Sequence, residues 1–188
     1  MTAIFIHIPK TGGMSIQEAL SLQQYRNRRK LAQGREYSGL VTFGHELLPY
    51  LQRRGLAPRD VFTFSFVRNP YDRAVSLWAY FRQQYNTDIG FTEWCRNIGA
   101  YTWRIRYPQA RWLDGLTVDF VGRFEILQRD FDRLCVLLSV PQSNLPHLNQ
   151  SEHGARQDHY TDEARAIIRA HYARDFAELG YENDCLPN

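Results

Sequence analysis

Ile4-Phe5-Ile6-His7-Ile8-Pro9-Lys10-Thr11-Gly12-Gly13-Met14-Ser15 is an apolar run that ends at a proline and opens into a lysine, two glycines and two hydroxyl residues. Ile16 to Leu20 then reads as helix. The stretch predicts a strand over Ala3–Ile8, a turn, and a helix over Met14–Leu22. Glycines let the backbone turn so that successive N–H groups point at one spot, and a helix N-terminus adds partial positive charge there. Lys10 brings a full charge, and Thr11 and Ser15 bring hydroxyl donors. A phosphate is the guest that such a loop suits. The competing reading is a strand-to-helix turn that uses glycine for geometry alone. A Walker A loop places its lysine after its second glycine, whereas here Lys10 precedes Gly12 and Gly13. No G-x-G-x-x-G follows a strand either, so ordinary NTPase and dinucleotide loops are poor matches.

A second segment strengthens the anion reading. Val61-Phe62-Thr63-Phe64-Ser65-Phe66-Val67 is a compact run of β-branched and aromatic residues and predicts a strand buried on both faces. It runs directly into Arg68-Asn69-Pro70-Tyr71-Asp72-Arg73-Ala74-Val75-Ser76-Leu77-Trp78. Asn69 suits an N-cap, Pro70 the first helical position and Asp72 the first turn. Ala74, Leu77, Trp78 and Phe81 recur at helical spacing, which predicts a helix over Pro70–Tyr85. Arg68 then lies at the carboxyl end of a central strand, where open α/β sheets place their ligands. An arginine fork with the hydroxyl of Ser76 nearby suits a second phosphate. The alternative for Arg68 is a structural ion pair, and for Ser76 a small residue at a helix–sheet contact.

The two segments together resemble the sulfotransferase family. Pro9-Lys10-Thr11-Gly12-Gly13-Met14-Ser15 is similar to its 5′-phosphosulfate loop. Phe66-Val67-Arg68-Asn69-Pro70-Tyr71-Asp72-Arg73-Ala74-Val75-Ser76-Leu77 is similar to its 3′-phosphate motif, including the spacing from Arg to Ser. The chain looks most like the carbohydrate branch, which includes heparan sulfate 2-O-sulfotransferase and small bacterial members. Gly122-Arg123-Phe124-Glu125, Leu145-Pro146-His147-Leu148-Asn149, and Tyr172-Ala173-Arg174-Asp175-Phe176 with Gly180-Tyr181 are also similar. The resemblance implies an enzyme that uses 3′-phosphoadenosine-5′-phosphosulfate and releases adenosine 3′,5′-bisphosphate. It implies that Lys10, Thr11, Gly12, Gly13, Met14 and Ser15 hold the 5′ end and that Arg68 and Ser76 hold the 3′-phosphate. Met14 departs from the pattern: it stands where the family carries Thr or Ser, so one hydroxyl contact is absent.

Length and composition set the frame. A chain of 188 residues with 44% hydrophobic and 23% charged residues is ordinary for one globular domain, so residues 1–188 are expected to form a single domain. The net charge of +3 is too small to argue for nucleic acid. No apolar stretch of ~18 residues predicts a transmembrane helix, and the N-terminus enters a strand without a secretory pattern. Three scattered cysteines, Cys95, Cys135 and Cys185, form neither a disulfide framework nor metal pairs. These features lead to a cytoplasmic expectation, where the activated sulfate donor is available. Further elements are expected over Glu46–Arg53, in parts of Phe91–Leu116, and as a strand near Val118–Arg123. A helix over Leu127–Leu138 carries Phe131, Leu134, Cys135 and Leu138 on one face, and a last helix runs over Asp162–Leu179. Strands alternating with helices predict an α/β fold, a central parallel sheet flanked by helices, with the P-loop-like strand-loop-helix of a sulfotransferase fold.

Sulfuryl transfer to a hydroxyl needs a base, positive charge on the bridging oxygen and in-line positioning, by analogy with phosphoryl transfer. A sulfuryl group carries less negative charge than a phosphoryl group, so no metal is expected. Lys10 is the candidate for stabilising the leaving phosphate. A base that titrates near neutrality favours histidine. His45, in Thr42-Phe43-Gly44-His45-Glu46, resembles the Gly-His of the carbohydrate sulfotransferases, where the histidine is the base. Glu46 either orients that ring, contacts substrate or serves as base itself. His7 is the second candidate base, and His171, on an apolar stripe, reads as a core histidine. His147, His153 and His159 fall in or near a polar loop and give no metal-ligand spacing. By resemblance Arg123, Phe124 and Glu125 lie near the nucleotide pocket, and Asn149–Gly154 is either a lid or a plain loop. Trp94, Arg96, Tyr101, Trp103, Arg104, Arg106, Tyr107, Arg111 and Trp112 mix aromatics with arginines. Aromatics stack on sugar rings and arginines hold anions, which makes Trp103 and Arg106 candidate acceptor contacts; the competing reading is core packing. The basic run Arg26, Arg28, Arg29, Lys30, Arg35 is a weaker acceptor candidate. The expected activity is transfer to a hydroxyl, on a saccharide or similar small acceptor. The alternatives are a nucleotide kinase-like phosphotransferase and a non-catalytic nucleotide-binding module.

Overall fold

The computed structural model describes residues 2–20, 61–146 and 156–181. The chain packs as two compact units, Met1–Val67 with Trp112–Leu148, and Arg68–Arg111 with Asn149–Asn188. The first unit holds strands β1 (Thr2–Ile6), β2 (Val61–Val67) and β3 (Phe120–Arg123), together with helix α1 (Gly13–Ala19). All three strands are parallel, in the order β1-β2-β3, with Phe5 opposite Phe64 and Phe66 opposite Gly122. This is the expected α/β architecture with β2 central.

Alternation along the strands explains the packing. Ala3, Phe5, Phe64 and Phe66 project to one face and form a core with Ile16 of α1 and with Phe131, Leu134 and Cys135. Those last three belong to the helix Leu127–Leu138, the amphipathic helix that the sequence predicts with the same bounds. Ile4, Ile6 and Val67 on the opposite parity are buried as well, so β2 is covered on both faces as its apolar run requires. Its two polar residues are satisfied locally. Thr63 Oγ1 donates to the Thr117 carbonyl at 3.0 Å, and Ser65 Oγ donates to the Ile6 carbonyl at 2.8 Å. Gly122 is required in β3 because a β-carbon there would overlap the ring of Phe66.

The second unit is helical. Helices α2 (Pro70–Tyr85), α3 (Phe91–Arg96), the short α4 (Trp103–Arg106), α7 (Asp162–His171) and α8 (Ala173–Glu178) lie in it, α5 (Ala110–Leu113) is divided between the two units, and α6 is the Leu127–Leu138 helix of the first unit. The core of the second unit gathers Tyr71, Trp78, Phe91, Trp94, Ile168, Tyr172 and Phe176. Asn69 caps α2 as expected: its side chain accepts from the Tyr71 N–H at 2.9 Å, with Pro70 next in line. Thr161 caps α7 by accepting from the Ala164 N–H at 3.1 Å.

Several expectations need correction. β1 stops at Ile6 rather than Ile8. Thr11 Oγ1 donates to the Ile8 carbonyl at 2.8 Å, which turns the chain away from the ladder although Ile8 is apolar and fully buried. β3 begins at Phe120, two residues late, because the Asp119 side chain and backbone both bond to Thr63. The last helix is two helices. Tyr172, at φ −104° and ψ 28°, breaks it between α7 and α8, and neither glycine nor proline marks the place. His171 is not a core residue. It is partly exposed and its Nε2 meets the Arg106 carbonyl at 2.7 Å. The expected helix over Glu46–Arg53, the basic run Tyr25–Glu36 and the loop Asn149–Gly154 lie outside the described residues.

Candidate functional site

The loop after β1 is shaped by unusual backbone. Lys10 has φ 71° and Gly12 φ 82°. The left-handed region is uncommon for a residue with a β-carbon, and such positions persist where the surroundings enforce them, typically at ligand clamps. Here the enforcement is visible. Thr11 is fully buried and its hydroxyl ties the loop to Ile8. Gly12 is N-cap to α1, and a β-carbon there would lie 2.8 Å from Leu127 Cδ2 and 3.2 Å from Phe124 Cδ2. Gly13 faces the imidazole of His7, which a β-carbon would overlap. His7 in turn stacks on Phe5, with ring centroids 5.4 Å apart and planes 13° apart. So both glycines are needed for space, and one of them for conformation as well.

This geometry refines the donor set. The Thr11 hydroxyl proton is committed to Ile8, so Thr11 offers a ligand its backbone N–H rather than its side-chain donor. Ser15 is 6% exposed and Met14 is 41% exposed. Lys10 is half-buried, between Pro9 and the Gly12–Gly13 turn. His7 is packed against the loop as a wall, a role that its position beside Gly13 explains.

In the second unit, Arg68 is bonded directly to the last residue of β2 and is 8% exposed. Its backbone is gripped by one side chain. Arg68 N–H donates to Gln109 Oε1 at 2.9 Å, and Gln109 Nε2 donates to the Arg68 carbonyl at 2.7 Å. Asp175, fully buried, accepts from the Ala110 N–H at 2.9 Å and from Gln109 Nε2 at 3.3 Å. Burial pushes the Asp175 carboxyl above the ordinary carboxylate range, while Arg73 and the bonds from residues 109 and 110 pull it part of the way back. Arg73 is itself fully buried and donates to the carbonyls of Arg104 (3.3 Å) and Tyr107 (3.4 Å). Tyr172 donates its hydroxyl to the Ile105 carbonyl at 2.6 Å, and burial pushes its phenol pKa up from that of free tyrosine. Arg73, Tyr172 and Asp175 thus hold the segment from Arg104 to Ala110. Ser76, on α2, is 4% exposed.

Gln109 and Asp175 were not singled out as functional candidates from sequence. A lone glutamine carries no motif. Asp175 falls in a family-like stretch, but nothing local says what it would meet.

Among the acceptor candidates, Arg106 is exposed. Its guanidinium lies 5.0 Å from the centroid of the Tyr107 ring, and that of Arg111 lies 4.1 Å from the same centroid. Trp103 begins α4. Trp94 (0% exposed) and Trp112 (2%) are core residues, the competing reading for that segment. Arg96 pairs with Glu163 at 2.7 Å. His159 packs on Trp78, with ring centroids 5.0 Å apart. His45 and Glu46 lie outside the described residues. Among the described residues no group of three or more His, Cys, Asp or Glu is placed to hold a metal ion, and no helix is long and apolar enough to cross a membrane.

Comparison with known proteins places this geometry in a family. No curated protein sequence matches the chain significantly. A sulfotransferase from Alicyclobacillus acidocaldarius superposes with a TM-score of 0.60 at 17% identity, over 95% of this chain and 93% of that one. Mouse sulfotransferase SULT7A1, solved in complex with PAP, gives a TM-score of 0.49 at 13% identity, over 95% and 82%. The first likeness supports the fold. The profile of the sulfotransferase family matches residues 2–182, and the chain therefore belongs to the sulfotransferase family.

Proposed function

We propose that the chain, acting as one functional domain over residues 1–188, transfers a sulfuryl group from 3′-phosphoadenosine-5′-phosphosulfate to an acceptor hydroxyl. The observation that carries this reading is the parallel pairing of β1 with β2. Each of these neighbouring strands runs into one of the two segments whose sequences suit a phosphate, Pro9–Ser15 and Arg68–Ser76. The donor supplies the sulfuryl group. Lys10 and the N–H groups of Thr11, Gly12, Gly13, Met14 and Ser15 hold its 5′ end, and Arg68 and Ser76 hold its 3′-phosphate. A left-handed Lys10 and a turn in which glycine leaves no room for side chains fit a phosphate that approaches the backbone closely.

The reaction balances without a redox partner. His45 takes the acceptor's hydroxyl proton, the acceptor oxygen bonds to sulfur, and the bond from sulfur to the bridging oxygen breaks. Lys10 meets the charge that develops on the leaving phosphate, and adenosine 3′,5′-bisphosphate departs. Glu46 contacts the acceptor or steadies His45, and Trp103 and Arg106 bind an acceptor of saccharide type, as in the heparan sulfate 2-O branch. The cytoplasm, where the donor is made available, is the expected location.

A thermal-shift comparison tests the donor. Adenosine 3′,5′-bisphosphate at a hundred times its dissociation constant adds ~2.7 kcal/mol of stability. Stabilisation by this nucleotide and little by ATP with Mg²⁺ is the expected result. A larger shift with ATP would replace the proposal with a phosphotransferase. His45→Ala tests the base: transfer falls about 10²–10⁴-fold while nucleotide binding is retained. Wild-type transfer by this variant would remove His45 from the mechanism.

A further inference from the structure

Arg68 stands just outside the β2 ladder and just before the α2 cap. Its backbone N–H and carbonyl are buried, and buried backbone groups must be paired. One side-chain amide pairs both. Gln109 accepts from the N–H at 2.9 Å and donates to the carbonyl at 2.7 Å, as a neighbouring strand would. A carboxamide has two ends that nearly match in shape, and its hydrogen-bond partners decide which way it faces. The Arg68 N–H and carbonyl select one orientation, and Asp175 reinforces it. Its carboxylate accepts from Gln109 Nε2 at 3.3 Å, and it is anchored by the Ala110 N–H at 2.9 Å. A carboxylate repels the oxygen end of the amide, so a flipped Gln109 would lose this bond as well as both bonds to Arg68. Gln109 and Asp175 are both fully buried.

We infer that Gln109, oriented by Asp175, is a positioning residue that sets the backbone of Arg68 so that its guanidinium meets the 3′-phosphate of the nucleotide. The inference rests on the donor-binding role proposed above for Arg68. It assigns a function to two residues outside the donor-binding set proposed above. The backbone angles of Arg68 determine where its side chain starts, and an arginine fork pairs with a phosphate only within a narrow geometry. A relay of two buried side chains drawn from distant parts of the chain holds those angles against thermal motion.

The test compares adenosine 3′,5′-bisphosphate with adenosine 5′-phosphate, which differ only in the group that Arg68 is proposed to hold. Calorimetric dissociation constants are measured for both ligands on the wild type, Gln109→Ala and Asp175→Asn. The wild type is expected to prefer the bisphosphate. Gln109→Ala is expected to weaken the bisphosphate about tenfold and to change the 5′-phosphate by less than about twofold. Asp175→Asn leaves the packing in place but replaces the charged acceptor of Gln109 Nε2 with a neutral amide, so a smaller loss confined to the bisphosphate is expected. This milder variant keeps the test decisive if Gln109→Ala does not fold. Equal weakening of both nucleotides would reduce Gln109 to a packing residue and overturn the inference, as would an undiminished preference in both variants. A wild type with no preference for the bisphosphate would overturn the donor reading of Arg68 and the inference with it.

Discussion

Asp175→Ala is the substitution whose cost follows bond by bond. The carboxylate is fully buried and accepts from the Ala110 N–H and from Gln109 Nε2. Without it the Ala110 N–H becomes a buried donor with no acceptor, worth about 1–3 kcal/mol. Gln109 Nε2 keeps the Arg68 carbonyl at 2.7 Å, so it loses one bond of two, about 1 kcal/mol. The buried Arg73 guanidinium loses an opposing charge but keeps the carbonyls of Arg104 and Tyr107, which limits that loss to about 1 kcal/mol. Together the expected destabilisation is roughly 3–5 kcal/mol, or a fall of about 10 °C in Tm for a domain of this size. Urea unfolding followed by tryptophan fluorescence at neutral pH measures it. A loss below about 1 kcal/mol would refute the account of this network, since it would mean that water replaces the carboxylate without penalty.

The same group carries a pH signature. Burial is the main cause of its raised value, so the folded chain binds this proton more tightly than the unfolded chain does. Its contribution to stability is therefore fullest below the ordinary carboxylate range. It declines as pH rises through that range to the raised value, and is level above it. Asp175→Asn cannot titrate, so the stability of wild type relative to this variant should fall as pH rises across that window. A difference that grows instead would reverse the sign of the burial argument.

Three other outcomes are expected. Phe131→Ala empties a fully buried site in the core of the first unit and should cost about 3–5 kcal/mol. Val136→Ala, one turn along on the 67% exposed side, should stay within about 0.5 kcal/mol; urea titration of the pair that gave equal losses would contradict the packing of α6. Gly13→Ala drives a β-carbon into the His7 ring, with a cost of about 1–3 kcal/mol and weaker binding of adenosine 3′,5′-bisphosphate; calorimetry showing unchanged binding would mean that the loop shape is irrelevant to the nucleotide. Cys95 is fully buried, and burial, with Glu163 adding to it, pushes its thiol up to about 12. Native protein treated with iodoacetamide at pH 8 should show Cys95 unmodified by mass spectrometry until denaturant is added, and rapid native labelling would contradict that burial.

What was legible in the sequence was what local chemistry dictates. Val61–Val67 announced itself because a strand covered on both faces can hold few polar residues, and Asn69-Pro70 wrote the start of α2 in the residues that a cap requires. Leu127–Leu138 was equally plain, since its apolar stripe has to face the sheet. The turn after β1 was readable because left-handed backbone and tight packing leave glycines behind. What escaped was set by partners far along the chain. Gln109 meets Arg68 across 41 positions and Asp175 across 66, and no period or motif encodes either meeting. For Trp94 and Trp112 the sequence left acceptor binding and core packing both open, because tryptophan serves cores and sugars alike; only burial separates the two uses. The break at Tyr172 left the helical stripe intact on both sides, so periodicity ran through it.

The central claim is that one nucleotide is held by the two sequences that follow β1 and β2. A crystal structure with adenosine 3′,5′-bisphosphate bound tests it most directly. The account predicts the 5′-phosphate within hydrogen-bond reach of Lys10 and the Gly12–Gly13 turn, and the 3′-phosphate on the Arg68 guanidinium. A nucleotide bound elsewhere, or with either phosphate remote from its assigned residues, would contradict it.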